Sequence, residues 1–360
     1  MANHKELEQL RQQIDTVDGE LLALISRRAA LARAVAEVKG APGAVGFYRP
    51  EREAQVLRRI IERNPGPLAD EEIARLFREL MSACLALEQP LAIAYLGPEG
   101  TYTQAAALKH FGHSVTTQPY VSIAEVFREV EAGECHYGVV PVENSIEGVI
   151  HHTLDSFMQS PLKICGEVEL RIRHNLLSKC ADLQAIERVY AHQQALGQCR
   201  HWLDRNLLKA ERIAVSSNAE AARMAAAEPA SAAIAGEAAA ELYDLAALAT
   251  GIEDDPTNTT RFLVIGHQSA GVSGDDKTTL LFSTSNKPGS LYQVLGAFAE
   301  GGVSMSRIES RPSRRGMWDY LFFVDLEGHI EDAKVAEALR RLGERAAMVK
   351  LLGSYPRAVL

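Results

Sequence analysis

LEQLRQQIDTVDGELLALISRRAALARAVAEVK, residues 7–39, carries apolar residues at 7, 10, 14, 17, 21, 24, 31, 35 and 38. Steps of three and four make a heptad seam, the pattern of a long helix packed against other helices. The skipped seam position is 28, and Arg28 fills it. A guanidinium on a buried stripe is costly unless an anion meets it. Lys39 lies eleven residues on, roughly 20° away around the helix, so both cations share one face. Arg11 sits about 100° round from Arg28 and roughly 25 Å along the axis. One small ligand cannot touch Arg11 and Arg28 of a single chain, so a site using both needs two interlocked chains.

Working outward, Gly40-Ala41-Pro42-Gly43 ends this helix, which at 1.5 Å per residue runs for roughly 50 Å. Pro50 opens a second helix to about Arg63, and Asp70 caps a third with Ile73, Phe77, Leu80, Cys84 and Leu87 on one face. Glu88 follows Cys84 by four residues and shares that inward face. Two short helices cannot bury so long a first one, so a helical dimer is expected.

The character changes at Gln89-Pro90. Leu91–Leu96 reads as a strand, then comes Gly97-Pro98-Glu99-Gly100-Thr101-Tyr102-Thr103, then an alanine-rich helix, the start of an α/β domain. A helix near 122–132 precedes a strand at Tyr137–Val142 that runs into Glu143-Asn144, placing polar residues at a strand's carboxyl end, where α/β folds bind ligands. Strands are also expected at Lys163–Ile172, Arg188–Ala191, Arg212–Val215, Ala232–Ala235 and Arg261–Ile265. The alanine-rich 219–249 fits two helices flanking a short strand. His267–Asp276 is the second boundary, and beyond it the order βαββαβ describes a ferredoxin-like unit.

Composition sets the classes of function. With 360 residues the chain can hold two or three domains, and its net charge of -9 argues against nucleic acid or an anionic membrane as main partner. Five scattered cysteines (84, 135, 165, 180, 199) read as reduced thiols of a cytoplasmic protein. No signal peptide and no run of eighteen apolar residues is seen. The histidines, among them His151-His152 and the pair His110 and His113, have no zinc spacing, so neither metal nor cofactor is expected. No P-loop, nucleophile elbow or dinucleotide fingerprint occurs. Inward cations at 11, 28, 39 and 52 suit a small di- or trianion held by arginines. In the middle domain Glu143-Asn144, His192, Gln198 and Asn258-Thr259-Thr260-Arg261-Phe262 stand out, but their spacing names no reaction.

A resemblance supplies what spacing does not. Arg11, Arg28, Lys39, Arg52-Glu53 and Glu88 resemble the helical chorismate mutases. Tyr95-Leu96-Gly97-Pro98-Glu99-Gly100-Thr101, Val140-Pro141-Val142-Glu143-Asn144 and Thr260-Arg261-Phe262 resemble prephenate dehydratase. Lys287-Pro288-Gly289-Ser290-Leu291 and Glu309-Ser310-Arg311-Pro312 resemble an ACT regulatory domain. The whole chain is thus similar to the bifunctional chorismate mutase–prephenate dehydratase family of phenylalanine biosynthesis. The resemblance implies an all-α mutase domain (1–90) forming an intertwined dimer, an α/β two-lobed, periplasmic-binding-like dehydratase domain (91–268) and an α+β ACT domain (277–360). It implies a homodimer or higher oligomer with chorismate and prephenate as substrates and L-phenylalanine as inhibitor.

The resemblance also implies roles. Arg28 and the partner's Arg11 would clamp the carboxylates of chorismate, Arg52 and Glu53 would support a carboxylate and the ring hydroxyl, and Lys39 and Glu88 would meet the ether oxygen. Glu88 stands where glutamine is usual. A carboxylate donates only when protonated, so mutase turnover should fall with rising pH and Glu88→Gln should flatten the fall. Cys84, in place of serine, and Arg49, near the usual acidic position, also depart from the pattern. Thr260 would be proton donor or leaving-group binder, with Asn144, Gln198 and Arg261 binding substrate and Glu143 structural or electrostatic. Ala191 stands where the family has serine, so no role passes to it. Gly289, Ser290, Leu291, Glu309, Ser310 and Arg311 would hold the effector, with Arg311 equally a domain-contact residue. Other readings stay open: an amino-acid-binding sensor, a dehydratase whose helices only dimerise, and arogenate as substrate.

Overall fold

A computed structural model describes residues 2–39, 48–284, 287–312 and 320–359, excepting the side chains of 2, 3 and 39. The chain begins with the helices Ala2–Lys39, Pro50–Glu62 and Asp70–Glu88. The first packs on the third at its C-terminal part, where Arg28 Nη1 donates to the Leu80 carbonyl at 3.4 Å. The heptad seam is not covered within one chain: Leu7, Leu10, Ile14, Val17, Leu21, Leu24, Leu31, Val35 and Val38 are between 46% and 89% exposed. The short second helix turns Ala54 and Leu57 inward against the third helix and the C-terminal strand Met348–Pro356.

Residues 92–266 form two lobes. The first is a sheet ordered Thr116–Tyr120, Ala92–Leu96, Tyr137–Asn144, Thr259–Gly266, Lys163–Arg171, with Gly148–Val149 on the third strand. The first three strands are parallel, and Thr259–Gly266 runs antiparallel between its neighbours. Thr116–Tyr120 was not expected as a strand; Pro119 disguises it, and it is tolerated because this strand lies at the sheet edge. The second lobe orders Ala246–Ala249, Asn175–Ser178, Ser231–Ala235, Arg188–His192 and Glu211–Val215. The alanine-rich stretch supplies the helices Asn218–Ala227 and Glu237–Leu242 around Ser231–Ala235, as expected, plus the strand Ala246–Ala249.

The backbone passes between the lobes twice, near residues 172–174 and 250–258. The crossings are tied together: Ile172 N–H donates to the Asn258 carbonyl at 2.8 Å and Ile252 N–H to the His174 carbonyl at 2.9 Å.

The last unit has the βαββαβ order, a four-stranded antiparallel sheet of Met305–Pro312, Tyr320–Glu327, Asp276–Ser283 and Met348–Pro356. Its helices Ser290–Glu300 and Ala333–Arg345 pack on each other. Strand Met348–Pro356 lies so close to Lys163–Arg171 that a Cβ at Gly353 would overlap the Ile164 carbonyl. One apolar core therefore runs from Phe127, Phe157 and Ile164 of the first lobe into Leu281, Phe323 and Tyr355 of the C-terminal sheet. On the other side Tyr48 plugs the helical region into the first lobe beside Phe111 and Tyr137.

Candidate active site

Between the two lobes lies a cleft of about 520 Å³. Asn144 and Thr260 reach it as cross-strand partners at the ends of their strands. Asn144 Oδ1 accepts the backbone N–H groups of Ile146 and Glu147, each at 3.0 Å, which fixes its amide orientation. Its Nδ2 therefore donates, to Thr260 Oγ1 at 2.8 Å and to Asn258 Oδ1 at 2.8 Å. Thr260 Oγ1 thus receives one hydrogen bond, and its own proton has no acceptor among the described residues.

The polarity propagates across the cleft. Asn258, with its oxygen engaged, donates Nδ2–H to Gln198 Oε1 at 3.0 Å. His174 Nε2 lies 2.8 Å from the same oxygen and so carries the proton. Burial pushes the His174 imidazole down and outweighs the opposing Gln198 bond and Glu253 charge, so it is neutral. Its Nδ1 is 3.1 Å from the Tyr102 hydroxyl, which also reaches the Arg173 carbonyl at 2.6 Å. Gln198 Nε2 donates to Glu147 at 3.3 Å. Thr260, Asn144, Asn258, Gln198, His174 and Tyr102 thus form one connected chain, with Asn258 and His174 standing on the two interlobe crossings.

No lysine or arginine lines the cleft among the described residues. Instead the N-termini of the helices Tyr102–Phe111, His151–Gln159 and Asn218–Ala227 open onto it through Thr101, Ile150 and Ser217. Helix N-termini present backbone N–H groups and a partial positive charge, which suits carboxylates. His192 lines the wall and caps its own short helix, its Nδ1 accepting from Gln194 N–H at 3.4 Å.

Arg261 is not brought to the cleft. Strand side chains alternate, so the residue after Thr260 faces away. Its guanidinium is 2.7 Å from Glu167, 2.5 Å from Asp325 and 2.9 Å from the Tyr355 hydroxyl. Glu143, one residue before Asn144, likewise faces out and pairs with Arg307 at 3.2 Å.

The mutase candidates do not converge within one chain. Arg11 is exposed, Arg28 is half-buried against the third helix, Arg52 is exposed, Cys84 is buried and Glu88 is half-buried. The Lys39 side chain lies outside the described residues. Glu53 is not brought to Arg28: it pairs with Arg78 at 3.4 Å, facing the dehydratase-like lobe beside Tyr48 and His110. Burial raises the Glu53 carboxyl against the pull of Arg78. In the C-terminal unit Gly289 has φ 82°, a left-handed conformation that favours glycine, and ends the turn into helix Ser290–Glu300. Ser290 and Leu291 start that helix, while Glu309, Ser310 and Arg311 lie on the edge strand Met305–Pro312. Arg311 reaches Asp155 of the first lobe at 2.8 Å, a domain contact.

Tyr102 and His174 were missed in the sequence. They are 72 positions apart, and nothing local joins them.

Known proteins resolve the identity of these parts. Residues 10–89 match type II chorismate mutase, residues 93–270 match prephenate dehydratase and residues 278–344 match the ACT domain. A bifunctional chorismate mutase/prephenate dehydratase of Pseudomonas aeruginosa is 55% identical over 365 residues, covering 100% of both chains. One from Aquifex aeolicus is 44% identical, covering 99% of each. The crystal structure of an Arthrobacter aurescens prephenate dehydratase in complex with L-Phe superposes with TM-score 0.70 at 35% identity, covering 74% of this chain and 90% of that one. With its three units matched in order and its whole length shared with such relatives, this chain belongs to the bifunctional chorismate mutase/prephenate dehydratase family.

Proposed function

We propose that the interlobe cleft is the dehydratase site and that Thr260 acts on the leaving hydroxyl. The reaction takes prephenate and one proton to phenylpyruvate, carbon dioxide and water. The ring carboxylate's C–C bond breaks, its electron pair enters the ring, and the hydroxyl at the opposite carbon leaves with the proton. Aromatisation drives the step, so the protein must assist departure and hold the carboxylates. The observation that carries this reading is the Thr260 hydroxyl, which receives the Asn144 N–H and keeps its own proton for the cleft. That N–H stabilises negative charge developing on Oγ1 as the proton moves out. Gln198, held by Asn258 and His174, orients substrate from the second lobe. Helix N-termini, rather than Arg261, take the carboxylates.

The helical segment is the mutase, completed by a second copy of the chain. Arg28 of one chain and Arg11 of the other clamp the carboxylates of chorismate, Arg52 supports a carboxylate, Lys39 and Glu88 contact the ether oxygen, and Cys84 lines the substrate site. The uncovered seam supports this pairing, since contiguous exposed apolar surface of this kind marks an interface. Glu53, already paired with Arg78, is assigned a structural role. Phenylalanine is the effector of the ACT domain through Gly289, Ser290, Leu291, Glu309 and Ser310. The three functional units are taken as 1–90, 91–268 and 277–360. Five free cysteines support work in the reducing cytoplasm.

The test is an assay of the full chain on chorismate and on prephenate, with and without phenylalanine. Phenylpyruvate should form from both, more slowly with phenylalanine. No phenylpyruvate from prephenate overturns the cleft assignment, and no consumption of chorismate overturns the mutase.

A further inference from the structure

Two cross-strand pairs meet at the boundary between the first lobe and the C-terminal sheet. Glu143 and Arg261 are partners on the lobe's strands, and Arg307 and Asp325 are partners on the C-terminal sheet. Each pair reaches across to the other: Glu143 meets Arg307 at 3.2 Å and Arg261 meets Asp325 at 2.5 Å. The quartet is anchored from behind. Glu167 takes Arg261 Nε and Lys277 Nζ, each at 2.7 Å, and Thr279 donates to Asp325 at 2.7 Å. Burial alone would raise the Asp325 carboxyl, but Arg261 and Arg307 overcome it and hold the group low, so it is ionised.

The next residues along the same strands are Asn144 and Thr260, themselves cross-strand partners facing the cleft. Each strand therefore shows one residue to the substrate and its neighbour to the C-terminal sheet. A backbone shift at one of two consecutive strand residues is passed to the other, because they share a planar peptide unit. Arg307 also lies two residues before Glu309 on the strand assigned to the effector, and its buried Nη2 has no hydrogen-bond partner among the described residues. The guanidinium thus keeps donor capacity for a second arrangement.

We infer that Arg261 and Arg307 are positioning residues for the dehydratase: the charge quartet holds the Asn144–Thr260 pair in register, and the effector strand acts on catalysis through it. The inference rests on reading the cleft as the dehydratase site. A purely structural quartet would glue two domains together and influence stability alone. A positioning quartet changes turnover and inhibition while substrate binding persists.

The experiment compares wild type, Arg307→Met, Arg307→Lys, Glu143→Gln and the double variant Glu143→Gln/Arg307→Met in the full chain. Mutase activity serves as the control for folding. Arg307→Met should lower dehydratase kcat by about tenfold while KM moves by less than about twofold, as expected for lost orientation. The phenylalanine inhibition midpoint should shift by about tenfold or vanish, a coupling of ordinary size between sites. Arg307→Lys, which keeps the charge but loses the planar guanidinium fork, should show the same pattern in smaller measure. The double variant should be no worse than Arg307→Met, because the two groups act through one contact. A lower melting temperature with unchanged kcat, KM and inhibition overturns the inference, as do losses that multiply in the double variant. Wild-type chain inactive on prephenate overturns the cleft reading instead.

Discussion

The helical segment and the interlobe cleft, as the proposed mutase and dehydratase sites, would hold a small dianion in opposite ways. The cleft is closed within one chain, and its polar groups are oriented by one another down to the proton on His174. The helical segment carries arginines on a single long helix whose apolar seam stands open. On the proposed reading, one site would use helix N-termini and a neutral hydrogen-bond chain, and the other full charges that converge only with a second molecule. Preorganisation would then be internal in one case and would come with assembly in the other.

The largest effect that separates the two sites is expected from Thr260→Ala. Dehydratase turnover should fall by about a thousandfold, within the range for losing a proton donor, with mutase turnover kept. Phenylpyruvate formation from prephenate checks this, and a mild loss would mean that the cleft works without that hydroxyl. Next, Arg11→Ala and Arg28→Ala chains should each lose mutase activity alone, while heterodimers of the two regain about one working site per dimer, as a shared two-fold interface requires. Both should process prephenate normally. No recovery on mixing would place the whole mutase site in one chain.

A smaller effect is expected from Gln198→Leu, which strips partners from Asn258 and His174. One or two buried unpaired groups at about 1–3 kcal/mol each predict a fall of about tenfold or more in dehydratase kcat/KM. Smallest in activity is His110→Gln at the seam between the two regions. His110 Nε2 lies 3.0 Å from the Tyr48 hydroxyl, and burial, aided by Arg78, lowers its pKa from 6.5 to about 3. The unfolded chain therefore binds a proton that the native protein refuses between those values. Stability must fall as pH drops through that window. Denaturation midpoints at pH 7 and pH 4 should show a smaller acid loss in His110→Gln, with both activities near wild type.

Much of this was legible in residue order. The heptad seam marked the long first helix, whose apolar stripe is indeed uncovered within one chain, and strand–turn–helix order with a terminal βαββαβ unit marked the other two folds. Asn144, Gln198 and Thr260 could be named and do meet. Arg261 and Glu53 were misplaced for a common reason: each direction is set by a neighbouring domain. Alternation along a strand says that Thr260 and Arg261 face opposite ways. It cannot say which one meets the cleft. Glu53 and Arg78 are on adjacent helices, and only the lobe beneath them makes that face interior. His174 and Tyr102 carry no local signal, because the interlobe crossing brings them together.

Gly353 has a consequence for how the protein comes apart. Backbone rests on backbone there, and the apolar core continues through the contact. The first lobe and the C-terminal sheet are therefore expected to melt in one cooperative transition, with the residues between Gly266 and Asp276 acting as a seam and not a tether. An effector bound to the C-terminal sheet would then raise the melting temperature of the catalytic lobe as well. Gly353→Ala should split that transition in two.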